Sequence, residues 1–208
     1  MTNVNEKPSL RDQQRETQKT GTRAKVFAAA VEVFCKDGVQ EALIDDIARL
    51  AGVSRGTFYF HFPTKDDVLA ELLRKAQEPV AAAIEALPPH ASVTTILEAL
   101  VAAVMAHWPG EAKLFPEVGL TALRLAATGA LTSETDPVRR AVSRRFRAAA
   151  ARGELTRALP GDQLADVFLM SAVAVLMAWS KDPILSLEEA LFTAGKVFLE
   201  GARAKKRR

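Results

Sequence analysis

Apolar residues along the chain recur at spacings of three and four, and polar breaks divide them into about nine segments of helical period. The first runs from about Thr22 to Asp37. Val26, Ala30 and Val33 share one face of it, Phe27, Val31 and Phe34 lie beside them, and Gly38 ends it. Ile44, Ile47, Ala48 and Ala51 mark a short second helix. Gly52 follows where the chain must turn out of a helix, and Ser54 is placed to cap a third. A fourth helix starts near Thr64 with Leu69, Leu72, Leu73, Ala76, Val80 and Ile84 on one stripe. It stops before Pro88-Pro89, and Pro79 inside it predicts a kink. Ser92 opens a fifth helix reaching about Trp108, with a stripe from Ile96, Leu97, Leu100, Val101, Val104 and Met105, and Pro109-Gly110 stops it. A sixth begins near Pro116, carries Val118, Leu120, Leu123 and Leu125, and fades at Thr128 before a polar loop over 129–135. Asp136-Pro137 reads as cap and first residue of a seventh helix, with Val138, Val142 and Phe146 inward. Leu164 to Trp179 is apolar nearly all round, and Ser186-Leu187-Glu188-Glu189 is a capping box for the ninth. The pattern predicts an all-α fold: an N-terminal three-helix head, residues 1–63, then a C-terminal helical bundle, residues 64–208. The fourth helix is the only covalent bridge between them.

The stretch Ile44 to Lys65 carries the chemistry. Ala48 and Gly52 are small where two short helices must approach closely, the layout of a helix-turn-helix whose second helix enters a DNA major groove. The plainer alternative is an αα-hairpin inside a bundle. Against it, Arg55, Thr57, Tyr59 and His61 stand among the apolar Phe58 and Phe62, which implies polar groups facing outward. Thr64-Lys65-Asp66-Asp67 has a capping pattern, and Lys65 in the first turn opposes the helix dipole unless an anion such as a phosphate sits there.

These residues resemble the TetR (tetracycline-repressor-like) family of bacterial transcriptional regulators. The matching string runs from Arg23 through Ala30, Phe34 and Gly38, then Ile47-Ala48, Ala51-Gly52-Val53-Ser54, Gly56-Thr57-Phe58-Tyr59, His61-Phe62, Lys65 and Leu69. It covers the first third of the chain; the remainder resembles the family only in length and helical character. The resemblance implies an all-helical homodimer with an N-terminal DNA-binding domain and a C-terminal domain for a small effector. By position in the motif, Arg55 and Thr57, flanking Gly56, are expected at base edges, with Phe60 on a thymine methyl. Tyr59, His61 and Lys65 are expected on phosphates. One departure is Ala42-Leu43, where family members commonly have Thr or Ser at the start of the second helix; this removes a usual cap and phosphate contact.

Composition narrows the remaining classes. About half of the 208 residues are apolar (49%), enough for a sizeable core, and the net charge of +3 is compatible with a nucleic-acid partner. The single Cys35 excludes an intramolecular disulfide and reads as a core thiol. Residues 1–12 lack the apolar core of a signal peptide, and the run Val167 to Trp179 reads as too short to span a bilayer, so a cytoplasmic protein without a membrane partner is expected. Residues 1–21, with Arg11, Arg15 and Lys19, read as a frayed terminus, the alternative being a minor-groove arm. Arg139, Arg140, Arg144, Arg145, Arg147 and Arg152 read as a solvated helix face, and Lys205-Lys206-Arg207-Arg208 as a solubilising tail. His61, His90 and His107 are far apart, with no His-Glu-x-x-His pair, phosphate loop, Rossmann glycines or nucleophile elbow. No catalysis, metal or cofactor is expected.

A helix as apolar as Leu164 to Trp179 needs cover on both sides. A two-fold partner is the expected cover, with Val173, Met177, Leu191 and Phe198 at the seam and a pseudo-palindromic operator as the DNA target. Leu72, Met105, Trp108, Phe115, Leu123, Phe146 and Met170 exceed what a small core needs. They predict a pocket for a mostly apolar effector, aromatic or acyl, with His107 or Arg124 as polar anchor. The function expected is a ligand-responsive transcriptional regulator, a repressor released by that effector. The alternative is an architectural or sequence-nonspecific DNA-binding protein, which would explain the head but not the long apolar remainder.

Overall fold

Helices make up almost all of the described residues of the computed structural model, which are 10–107, 114–128 and 135–203. They are α1 (Leu10–Asp37), α2 (Ile44–Ala51), α3 (Arg55–His61), α4 (Lys65–Glu85), α5 (Val93–His107), α6 (Phe115–Ala127), α7 (Pro137–Ala151), α8 (Gly161–Trp179) and α9 (Leu187–Ala202). The only extended pairing among these residues is an isolated bridge between Leu155 and Arg203. The chain divides into two compact units, Met1–Val68 and Leu69–Arg208. Trp108, the Pro109-Gly110 stop, the 129–134 part of the loop and the Lys205–Arg208 tail lie outside the described residues.

In the first unit α1 packs on α2 and α3. Val26, Ala30, Phe34, Ile47, Phe58 and Phe62 are fully or nearly fully buried and form its core. The helix expected from Thr22 begins at Leu10, so residues 10–21 are helical rather than frayed. Hydrophobic periodicity could not show this, because residues 16–21 are all exposed. The hydroxyls of Thr20 and Thr22 instead donate back to the carbonyls of Glu16 and Gln18, at 2.8 and 2.9 Å. Cys35 is half-buried rather than a core thiol.

In the second unit α8 lies against α6, α7 and α9, and α5 against α7 and α9. Phe146, Phe168 and Phe198 meet at ring-centroid distances of 5.3–6.4 Å in its core. α5 and α9 approach so closely at Gly195 that a Cβ there would lie 2.3 Å from a Leu97 methyl. On α6 the expected stripe is displaced. Phe115, Val118, Gly119 and Ala122 are buried at i, i+3, i+4 and i+7, whereas Leu120 and Leu123 are exposed. α8 is 19 residues long and apolar enough, at mean hydropathy 1.5, to match a membrane span by length and composition, longer than the Val167–Trp179 run suggests. Its Asp166, held by Arg139 of α7, accounts for it as a bundle helix.

Local chemistry fixes the N-terminal helix ends. Ser54, Ser92, Asp136 and Ser186 each accept the backbone N–H three residues on, at 2.9–3.2 Å. Thr64 and Asp67 form a reciprocal pair at the start of α4. The C-terminal end of α4 is satisfied from far away. The Arg145 guanidinium on α7 donates to the carbonyls of Ile84, Glu85, Leu87 and Pro88. The arginines of α7 are therefore a solvated face only in part: Arg140, Arg144 and Arg147 are exposed, while Arg139 and Arg145 are half-buried. Besides Arg145, Arg139 forks onto Asp166, Arg147 faces Asp162, Arg144 faces Glu85, and Arg152 reaches the Ala91 carbonyl. A guanidinium brings five N–H donors in a fixed fork and can serve all four carbonyls, where an ammonium has three donors. Arg145→Lys should therefore lower unfolding stability by about 1.5–3 kcal/mol, the value of hydrogen bonds to a charged donor. Urea denaturation of the variant checks this; an unchanged midpoint would show that water serves these carbonyls as well.

Candidate nucleic-acid interface and ligand cavity

The helix-turn-helix is shaped by three local features. Gly52 ends α2 in the left-handed region, at φ 67° and ψ 35°, which a side chain would disfavour. Its own N–H and that of Val53 bond back to the carbonyls of Arg49 and Ala48 at 3.2 and 3.0 Å. Ser54 then caps α3, its Oγ accepting from the Thr57 N–H at 3.1 Å and lying 2.9 Å from the Thr57 hydroxyl. Leu43 at the N-terminal end of α2 makes no side-chain cap bond, as its side chain dictates.

α3 has an inner and an outer side. Phe58 is buried, and Arg55, Gly56, Tyr59 and Phe60 are exposed, with Phe60 at 69%. Thr57 is half-buried. Arg55 is ordered by its neighbours: it pairs with Asp45 of α2 at 3.3 Å and lies 5.7 Å from the Tyr59 ring centroid. Two expected phosphate contacts are instead drawn inward. His61 is only 7% exposed, and the Arg23 guanidinium donates to its carbonyl while lying over the Phe62 ring at 4.1 Å. Lys65 donates its ammonium to the carbonyls of Val39 and Gln40, at 2.8 and 2.9 Å, which uses two of its three N–H donors. These contacts join residues about 25 or more apart, and no local spacing announces them.

Within the second unit, α4, α5, α6, α7 and α8 enclose a cavity of about 160 Å³. Its apolar wall includes Leu73, Val80, Val104, Leu169 and Leu176, and its polar wall, among the described residues, is Gln77, His107 and Asp136. Of the residues expected to hold a ligand, Met170 lines it and so does the expected anchor His107. Phe146 belongs to the phenylalanine core, Leu72 is fully buried beside the lining Leu73, and Phe115 packs edge-on against Trp179 at 6.2 Å. Met105, Leu123 and Arg124 are exposed and do not line it, and Trp108 lies outside the described residues.

Of the residues expected at a dimer seam, Leu191 is buried and Val173, Met177 and Phe198 are half-buried. Val173 lines the cavity, Phe198 stacks on Phe146, and Met177 lies 3.0 Å from the Cβ position of Gly119. The exposed positions of α8 away from the cavity are instead Val167, Ala174 and Ala178, at i, i+7 and i+11, and α9 exposes Val197. A helix apolar on every side gives no periodicity from which to choose its outer face.

Burial holds the His61 imidazole below its ordinary pKa, and the positive charges of Arg23 and Lys19 push it further down. The unfolded chain therefore binds a proton near pH 6.5 that the folded head refuses. Stability of the first unit is full above about that pH and is lost as pH falls from it towards the lower folded value. His61→Phe should flatten this slope. Thermal melts of both chains between pH 5 and pH 7.5 check it, and parallel slopes would remove His61 as the cause.

A family model described as "Bacterial regulatory proteins, tetR family" matches residues 26–72, which hold the helix-turn-helix. The chain is 38% identical over 99 residues to the HTH-type transcriptional regulator SrpR of Pseudomonas putida, covering 47% of this chain and 45% of that protein. It is also 38% identical over 99 residues to the uncharacterized HTH-type transcriptional regulator TtgW, likewise of Pseudomonas putida, covering 47% of this chain and 71% of that protein. The chain thus spans about half the length of the first of these relatives and more than two thirds of the second. Among solved structures, Thermus thermophilus FadR, a TetR-family repressor in complex with lauroyl-CoA, superposes with a TM-score of 0.65 at 21% identity, covering 89% of this chain and 97% of that one. The SmeT–triclosan complex superposes with a TM-score of 0.58 at 19% identity, over 89% and 93% of the two chains. The chain belongs to the TetR family of bacterial regulatory proteins.

Proposed function

We propose that this chain is a ligand-responsive transcriptional repressor that binds a pseudo-palindromic operator as a homodimer and is released by a small, mostly apolar effector. The observation that carries the reading is the two-sided α3, whose Phe58 is in the core while Arg55, Gly56, Tyr59 and Phe60 stand outside. In this reading residues 1–63 bind DNA and residues 64–208 bind effector and partner. Arg55 and Thr57 read base edges, Phe60 meets a thymine methyl, and Tyr59 holds a phosphate. His61 and Lys65 hold the head together instead of touching DNA. The apolar cavity supports the effector, as do the lauroyl-CoA and triclosan complexes of the two structural neighbours. An architectural DNA-binding protein would give no reason for such a cavity. These exposed positions of α8 (Val167, Ala174 and Ala178) and Val197 on α9 supply the partner's seat.

Gly56 separates structure from function. A Cβ there would meet nothing closer than the Ser54 hydroxyl at 3.7 Å, so the fold leaves room for a side chain. Gly56→Ala should leave stability unchanged or raise it by about 0.5–1 kcal/mol, the usual gain for replacing a helical glycine. It should nonetheless weaken operator binding, because the added methyl occupies the surface against which DNA packs. Selection from a random DNA pool should enrich one palindrome. On that site Arg55→Ala should relax preference at one or two base pairs, each worth about 1–3 kcal/mol. Equal loss on every sequence would contradict its base-reading role. Val197→Glu should give monomers by light scattering with weakened operator binding; a native chain that is monomeric at micromolar concentration would overturn the dimer.

A further inference from the structure

We propose that the cavity of the second unit selects a small apolar amine, held through Asp136, and discriminates against acids of the same shape. This rests on the reading of that cavity as an effector site.

The argument starts from which polar groups the wall offers. Gln77, His107 and Asp136 are the polar lining residues among those described, and no lysine or arginine joins them. Asp136 is 7% exposed, so its carboxylate is largely removed from water. It accepts the backbone N–H groups of Arg139 and Val138 at the start of α7 and a hydrogen bond from Gln77. A carboxylate has about four acceptor sites, so these three partners leave about one. The Arg139 guanidinium makes its hydrogen bonds to Asp166, and only its charge, not a side-chain hydrogen bond, acts on Asp136. Desolvation therefore dominates: it holds the Asp136 carboxyl above its ordinary pKa despite three stabilising bonds. An ammonium placed against it would offset that burial.

His107 adds a second acceptor. Its Nδ1 lies 3.1 Å from the Ala103 carbonyl, a contact that only Nδ1–H can make. In the neutral ring this leaves Nε2 as an acceptor. An acid entering the cavity finds the α7 amides already taken by Asp136 and a carboxylate facing it. The lauroyl-CoA of the FadR neighbour is therefore a poor guide to the ligand of this chain. The size is also bounded. The volume of about 160 Å³ is close to that of an engineered apolar cavity that holds benzene, about 150 Å³.

The test uses three probes of one shape, benzylamine, benzyl alcohol and benzoate, titrated calorimetrically into the full chain at pH 7.5. The amine is expected to bind at least tenfold more tightly than the alcohol, and the acid more weakly than either. Asp136→Asn keeps a good capping residue and should bring amine and alcohol within threefold. Equal affinities, or an acid that binds tightest, would overturn the amine selectivity and leave the effector cavity standing. No binding by any of the three at millimolar concentration would overturn both. Were Asp136→Asn to unfold, judged by circular dichroism, the order of the three probes on the native chain still decides.

Discussion

A chain made of helices must find partners for the backbone donors and acceptors left over at every helix end. This protein meets the demand in two ways. Five N-terminal ends are capped by side chains adjacent in sequence, Ser54, Thr64 with Asp67, Ser92, Asp136 and Ser186, while Leu43, Leu114 and Pro160 give α2, α6 and α8 no side-chain cap. The end of α4, followed by two prolines that supply no N–H, is met by one guanidinium from α7, about 60 residues later. Arg145 therefore ties the last turn of α4 to the middle of the second unit. Asp136 does a similar double service, since the carboxylate that starts α7 also forms part of the cavity wall.

That division explains what could be read in advance. Caps, the left-handed Gly52 and the helical stripes are local, so the helices and the turn before α3 were legible from residue spacing. The N-terminal extension of α1 was not, because its exposed residues 16–21 give no apolar face to mark it. Nor was the inward turn of His61 and Lys65. Both have side chains suited to phosphate, and only the fold shows that burial and the carbonyls of Val39 and Gln40 claim them first. On α7 the exposed Arg140, Arg144 and Arg147 match a solvated face, but Arg145 does not, because a charge run looks alike whether its partners are water or distant carbonyls.

The apolar interior was harder still. A large hydrophobic residue is equally suited to a core and to a cavity wall, so Phe146 and Met170 could not be told apart by type. Phe146 completes a phenylalanine cluster, while Met170 borders empty space. The polar members of the wall were partly visible. His107 stood out as a histidine, but Asp136 read only as a cap, and no motif singled out Gln77.

Under the proposed function, coupling between effector and operator must pass along α4, the only covalent connection between the two units. Its cavity-lining residues Leu73, Ala76, Gln77 and Val80 bracket Pro79. A proline ring has no N–H to give the carbonyl four residues earlier, so α4 lacks one rung of its ladder within the stretch the ligand would touch. A ligand shifts an equilibrium only by its differential affinity for two states. A segment with a missing rung can differ between states at lower cost than an intact helix. The far end of α4 is held by Arg145 and its near end by the Thr64–Asp67 pair, so both termini are anchored. Any adjustment that a ligand imposes is thereby concentrated between them, at the turns around Pro79, rather than dissipated by fraying at either end.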